Sequence, residues 1–332
     1  MIPVVTISPK QTNFWLLKLV PAGRWGRWVA GTVIFLAVLL PYVLLTVFGD
    51  EQTAAEVDME VTLFFAILFS YMVPVHHLII QRSLTALEQL RPLLAAEPSL
   101  ADHYAQLLRN HSARSQLIAV GVGLIAGTIH NWLILGETGM SWSPDTLLNL
   151  FITTAIWIIM TATISSLVEN AVRFRHLTSH VQFDILNTRQ LTPFGAVAVS
   201  STLALIGAQA AFPLLIFGSE TSWISFAPGL LATGAPMVFI FLLPVLPMHQ
   251  RIMVAKQEAL ARVTAVLSPL LEEEHPDYRT LEPLLTYRRE VIDAPEWPFD
   301  TSVLGRLAIY LIIPPLTWIG AALIEILVDS AI

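Results

Sequence analysis

The sequence predicts an all-α polytopic membrane protein: seven transmembrane helices, a cytoplasmic N-terminus, an external C-terminus and a helical cytoplasmic extension. Three observations predict it. A spanning helix needs about 20 mostly apolar residues, and seven such stretches occur, at 28–48, 61–80, 117–136, 148–168, 194–217, 223–247 and 304–327. All 18 Lys and Arg fall in 1–27, 81–116, 169–192 and 248–306, whereas the connectors 49–60, 137–147 and 218–222 hold carboxylates and no cation. Lys and Arg accumulate on the cytoplasmic side because carrying them through lipid is unfavourable. Finally, 55% of the chain is hydrophobic and 13% is charged, against about 25% charged in a soluble domain.

Residues 1–27 read as a cytoplasmic and interfacial segment. Residues 12–20 have the composition of a short interfacial helix, with Trp15, Trp25 and Trp28 at headgroup depth. No removable signal peptide is expected. Spans one and two enclose an external loop. The cytoplasmic segment 81–116 starts as a helix with Leu84, Leu87 and Leu90 at helical spacing, is interrupted by Pro92 and Pro98, and resumes over 101–114 as a polar helix running into span three. In the cytoplasmic segment 169–192, residues 180–186 alternate as a strand would, but also fit the end of a long fourth helix. Spans five and six form a tight hairpin about Gly218–Ser222.

A cytoplasmic helical hairpin occupies 248–303. Its first arm, 249–271, places Ile252, Leu260, Val263 and Leu267 on one face. Glu272–Pro276 is a turn, and Asp277–Ile292 is the second arm, with Leu281, Leu284, Leu285 and Val291 as apolar positions. Pro295 to Asp300 leads stiffly back to the seventh span, with Trp297 as an interfacial anchor.

Charge and composition exclude several function classes. The net charge is −7. No basic stripe suggests nucleic acid binding. The absence of Cys removes disulfides, thiolate metal sites and cysteine nucleophiles. No Lys lies in a span, which excludes a retinal Schiff base, and no Asp or Glu lies near mid-depth, where proton-coupled carriers place one. His76 and His77 are adjacent, so a helix points them about 100° apart, unlike the i, i+4 spacing of helical metal ligands. They read as interface residues. No nucleophile elbow or Ser/His/Asp grouping is visible, so no enzyme activity, cofactor or metal is expected.

What remains is polarity without charge. His130 and Asn131 lie in span three. Thr154, Thr161, Ser165 and Glu169 follow at +7, +4 and +4 along one face at span four, and Gln209 lies in span five. Such a stripe lines a hydrated pathway or bonds neighbouring helices. Gly123 and Gly127 form Gly-x-x-x-Gly, and Ala204/Ala208 with Gly207/Ala211 repeat the small spacing in span five, so close helix packing is expected there. Prolines 41, 74, 213, 228, 236, 244 and 247, and the pair Pro314-Pro315, free backbone carbonyls that must face protein, water or an ion.

Seven spans with the N-terminus inside, helical cytoplasmic extensions and a final span resemble the insect odorant and gustatory receptors. The last span of that family carries Thr-Tyr, five apolar residues and Gln-Phe. This chain has Ile309-Tyr310, then Leu311–Pro315, then Leu316-Thr317, similar at the tyrosine and the apolar spacer. The resemblance implies an anchor built from 81–116, 169–192 and 248–303, and a homotetrameric ligand-gated cation channel lined by the last span.

The expected function is an oligomeric membrane channel or receptor-channel in a bacterial or archaeal plasma (inner) membrane. Its partners are the lipid bilayer, copies of itself, and an ion or small-molecule ligand. Tyr310 marks the pore span, Pro314-Pro315 is a hinge, Ile312 or Ile313 a constriction, and Glu325 an outer cation-attracting ring. One alternative is a carrier for a small neutral or zwitterionic solute, with its pocket near His130, Asn131, Thr154 and Gln209. The other is a signalling or scaffold protein that docks a partner on 249–293.

Overall fold

The computed structural model describes residues 12–49, 58–94, 98–138, 143–215, 223–272 and 278–299, and eight helical positions between Gly305 and Leu323. Among the described residues there are helices and no strand. The helices are α1 (Trp15–Lys18), α2 (Gly26–Phe48), α3 (Met59–Leu90), α4 (Pro98–Arg109), α5 (Ala113–Thr138), α6 (Pro144–Leu177), α7 (Thr192–Gln209), α8 (Trp223–Leu271) and α9 (Tyr278–Asp293). Six stretches, built on α2, α3, α5, α6, α7 and α8, are long and apolar enough to cross a membrane. The expected seventh stretch lies mostly outside the described residues.

Local chemistry explains where the helices begin. Asp58 accepts from the Glu60 and Val61 N–H groups (2.9 and 3.1 Å) and starts α3. Ser112 accepts from Ser115 N–H (3.0 Å) ahead of α5. Ser143 and Pro144 open α6, with Asp145 in the first turn and Arg175 and His176 in the last, as the helix dipole favours.

Several expected boundaries change. The helix expected over 101–114 ends at Arg109, and Asn110–Ser112 is non-helical, because these residues bond the N-terminal segment instead. Segment 178–193 is neither a strand nor a continued helix. Two 3₁₀ turns, Thr178–His180 and Ile185–Leu191, flank an extended piece whose Gln182 N–H donates to the Leu93 carbonyl (2.9 Å). The expected fifth span stops being α-helical at Gln209, four residues before Pro213, and Phe212–Leu215 is a 3₁₀ turn. The sixth span and the first arm of the hairpin are one helix, α8, which carries five prolines. The turn Glu272–Pro276 lies mainly outside the described residues.

The interfacial helix expected at 12–20 is instead packed into the bundle. Phe14, Leu16, Leu17 and Val20 are buried against Leu84, Leu87 and neighbouring apolar residues. Only α1 is helical, and Trp25 and Trp28 beyond it are exposed.

Close approaches define the bundle. α5 packs along α6 through Gly123 and Gly127: a Cβ on Gly123 would lie 2.6 Å from Ile158 Cα, and one on Gly127 2.9 Å from Thr154 Cα. The Tyr71 ring lies over Gly207, and its hydroxyl donates to the Ala204 carbonyl (3.0 Å), joining α3 to α7. Pro74 frees the Ser70 carbonyl on α3, and Gly31 of α2 sits against that oxygen, 3.3 Å from where a Cβ would be.

Of the expected hairpin face, Ile252 packs into the bundle core and Leu260 lies beside Ala259 and Val291. Val263 and Leu267 of α8 pack on Leu281 of α9, with Leu284 and Tyr287 beside them, while Leu285 is exposed. The segment after α9 is pinned to α8 and α7. Lys256 Nζ donates to the Ile292 carbonyl (2.6 Å) and the Ala294 carbonyl (3.1 Å) and pairs with Glu296 (3.1 Å). Trp297, expected as an interfacial anchor, stacks on the His249 ring (3.9 Å, 7°) and stays partly exposed. Pro298 and Phe299 cover Gly195, which has no side chain to obstruct them.

The cation-bearing segments meet one another at one end of the bundle. Asn13 bonds Asn110 and His111, His111 bonds Glu169, and Arg251 donates to the Thr178 and Val181 carbonyls. Arg91 bridges Glu88 and Asp102, and its hydrogen bond and charge hold the Asp102 carboxyl below its ordinary value.

Candidate functional site

Four elements converge at that end on a buried polar chain. Glu169 and Ser166 lie one turn apart on α6, at i and i+3, and so share a face. His111 precedes α5, and its Nδ1 is 2.7 Å from Glu169 Oε2. Its Nε2 is 3.2 Å from Ser166 Oγ, which is 2.9 Å from His76 Nε2 on α3. Ser115 donates to the other oxygen of Glu169, and Arg173 Nη2 donates to Oε2 at 2.7 Å.

The N-terminal segment closes this chain. Asn13 Nδ2 donates to the His111 carbonyl, and Asn13 Oδ1 accepts from the His111 N–H, both at 2.9 Å. The Phe14 ring lies 4.4 Å from the His111 ring and 5.3 Å from the His76 ring. Ser166, His111 and His76 are 2%, 3% and 1% exposed. Beside the chain, Asn170 Nδ2 donates to Ser83 Oγ (2.7 Å), again joining α6 to α3.

Serine, imidazole and carboxylate in this order have the connectivity of a nucleophile relay. A nucleophile also needs room for a substrate, and among the described residues the two cavities of about 700 and 630 Å³ are not lined by Ser166. What the geometry does provide is a tie. One carboxylate fixes a histidine, that histidine fixes a serine, and the serine fixes a second histidine, so α3, α5, α6 and the N-terminal strap hold one arrangement. Each buried hydrogen bond contributes about 1 kcal/mol, and those to a charged group about twice that.

The sequence reading missed this constellation. His76, expected at an interface, is among the most buried residues, and Ser166 rather than Ser165 carries the bonds. Ser165 is half-buried beside it. The Ser166/Glu169 spacing on one helix face was the available signal.

The polar residues expected to line one pocket are divided between two helix seams. Trp157 Nε1 donates to His130 Nδ1 (2.8 Å), and Asn131 Nδ2 reaches the Leu150 carbonyl and Thr154 Oγ1 (both 2.9 Å). Thr161 Oγ1 lies 2.9 Å from the Ala119 carbonyl. All four therefore bond α5 to α6. Gln209 is elsewhere, with its Nε2 3.3 Å from Thr233 Oγ1 between α7 and α8.

Of the pore candidates, Tyr310 and Ile312 are helical and exposed. Ile313, Pro314, Pro315 and Glu325 lie outside the described residues. Ile309, Ile312, Leu316, Ile319 and Leu323 follow a 3, 4, 3, 4 spacing, and all are exposed. Tyr310 beside them is exposed as well, and no other described residue covers these positions.

Among the described residues, a cavity of about 700 Å³ lies between α2 and α3 and one of about 630 Å³ between α2, α3 and α7, and both are lined by Arg27 and Leu78. Among the described residues no group of His, Asp or Glu is placed to hold a metal ion. Comparison with protein-family models, with curated proteins and with solved structures returned no match to this chain.

Proposed function

We propose that this chain is an oligomeric membrane receptor-channel whose copies meet through the last helix, with the cation-bearing segments on the cytoplasmic side. One observation carries the reading: among the described residues of the last stretch, the apolar positions Ile309, Ile312, Leu316, Ile319 and Leu323 stand three or four residues apart and are all exposed. Alternating steps of three and four residues give the seam along which helices pack side by side in a coiled-coil arrangement. In a membrane such seams are driven by packing rather than by expulsion of water.

Two further features support it. The chain up to Phe299, ahead of the last stretch, is tied down by Lys256, His249 and Gly195. The long helix α8 and the returning α9 also fit the anchor that the resemblance to insect chemoreceptors implies. In this reading Ile312 lies on the seam and supplies the apolar constriction, Pro314-Pro315 the hinge and Glu325 the outer ring. The carrier reading has less support, because His130, Asn131 and Thr154 bond one seam while Gln209 bonds another.

The chain has no Cys, so one introduced cysteine reports alone. Under mild oxidation in membranes, Leu316→Cys is expected to yield disulfide-linked dimers as a major species. Leu40→Cys, on α2, whose exposed Val33, Leu36, Leu40 and Leu44 have similar spacing, is expected to stay monomeric. Equal cross-linking at both positions, or none at Leu316→Cys or at Ile312→Cys, would overturn the seam.

A further inference from the structure

We infer that the groove between α2, α3 and α7 is a binding site for one anionic phospholipid, with its phosphate between Arg27 and Arg82 and an acyl chain lying along α2 and α3. The inference is independent of how copies of the chain assemble.

The two cavities form one amphipathic groove because Arg27 and Leu78 line both. One end is apolar: Phe35, Tyr71, Pro74 and Val75 line it, with Gly31 keeping α2 close to α3 at its floor. The other end holds Arg27, Arg82, Gln81, Gln89 and Thr85. No carboxylate lines either part. Among the described residues neither Arg27 nor Arg82 has a carboxylate partner. Two cations left without a counter-ion in a shared cleft favour an anion, and the Gln and Thr side chains supply further donors to its oxygens.

Dimensions and depth select a lipid rather than a soluble anion. The groove follows α3 from Ser70 to Gln89, about 28 Å at 1.5 Å per residue. One leaflet with its headgroups spans roughly 20 Å. The cationic end belongs to the segments that carry the chain's basic residues, and the apolar end reaches into the spanning part of α2 and α3. A soluble phosphate would occupy the cationic end and leave the apolar end unfilled. A zwitterionic lipid would bring its own cation into a site that already holds two.

The test is a titration of the purified full chain in a nonionic detergent with phosphatidylglycerol, phosphatidylcholine or inorganic phosphate, read as the shift in thermal unfolding midpoint. Phosphatidylglycerol is expected to raise the midpoint saturably, while phosphatidylcholine and phosphate alone leave it unchanged. At about fivefold per arginine, Arg27→Gln with Arg82→Gln weakens the apparent affinity roughly twenty-fivefold. Thr32→Trp, which fills the apolar end without changing charge, is expected to weaken it as well. Arg24→Gln removes a cation that lines neither cavity and is expected to keep wild-type affinity. Wild-type affinity in the double variant, equal binding of phosphatidylcholine, or the full shift with phosphate alone would overturn the site.

Discussion

Replacing Gly123 with leucine is expected to separate α5 from α6 and remove most of the folded protein. Even the first added carbon would lie 2.5 Å from Thr161 Oγ1, 2.6 Å from Ile158 Cα and 3.0 Å from Ile158 N. Two of those atoms are backbone and cannot rotate away, so the helices themselves must part. Overpacking of a tight contact costs about 3 kcal/mol at the upper end of its usual range. Separation also pulls Thr161 from the Ala119 carbonyl and Asn131 from the Leu150 carbonyl, which are the polar bonds of the same seam. Gly121, two residues away, has nothing within 4 Å of an added Cβ, so Gly121→Leu is expected to fold as the natural chain does. Thermal unfolding of the two variants in detergent checks this: the midpoint falls for the first and holds for the second. Equal midpoints would mean that the α5–α6 contact is not tight.

The second large effect is expected at Glu169. Its carboxylate is the acceptor for His111, Ser115 and Arg173 together. Glu169→Leu leaves the Arg173 guanidinium, whose side chain is 14% exposed, with no counter-charge, and leaves His111 without the partner that orients it. Removing one member of a buried pair costs about 3 kcal/mol. Part of that cost comes from the charge left behind, so the double variant Glu169→Leu with Arg173→Leu is expected to recover some of the loss. Glu169→Gln keeps the shape and one acceptor and is expected to fall between. Chemical or thermal unfolding of the four proteins measures the coupling. If Glu169→Leu unfolds with the wild-type midpoint, the buried chain does not hold α5 to α6 and the N-terminal strap.

Periodicity and spacing carry part of this architecture in the sequence. Gly123 and Gly127 announce a close approach because two small residues one turn apart leave a flat helix face. Val263 and Leu267, four apart, and Leu281 and Leu284, three apart, announce the two arms because each pair stands about one helical turn apart. Pro92 falls where α3 gives way to the 3₁₀ turn Arg91–Leu94, and Pro98 opens α4. These are local signals, and local physics is enough to read them.

The remainder depends on residues distant in sequence. Ser166 is 90 positions from His76 and 55 from His111, and no pattern links them until the helices are packed. Leu16 and Leu17 resemble an interfacial helix, yet both are buried, because Asn13 and Phe14 dock on His111 and draw the segment inward. Residues 180–186 alternate as a strand does, but burial of Val181 and Ile185 satisfies that alternation without a ladder. The polar residues His130, Asn131, Thr154 and Thr161 were legible as a group, because they share facing sides of two helices. Their partners show bonds between those helices, one of the two outcomes the stripe allows.

The proposal stands most directly on how many copies assemble and about which helix. Imaging of single particles of the protein in lipid nanodiscs tests this without knowledge of the ligand. The account predicts a ring of several copies with rotational symmetry, residues 304–327 nearest the axis, and α8 with α9 forming its outer base. A particle holding one 36.7 kDa chain, or a ring with the last helix on its lipid-facing rim, would contradict it.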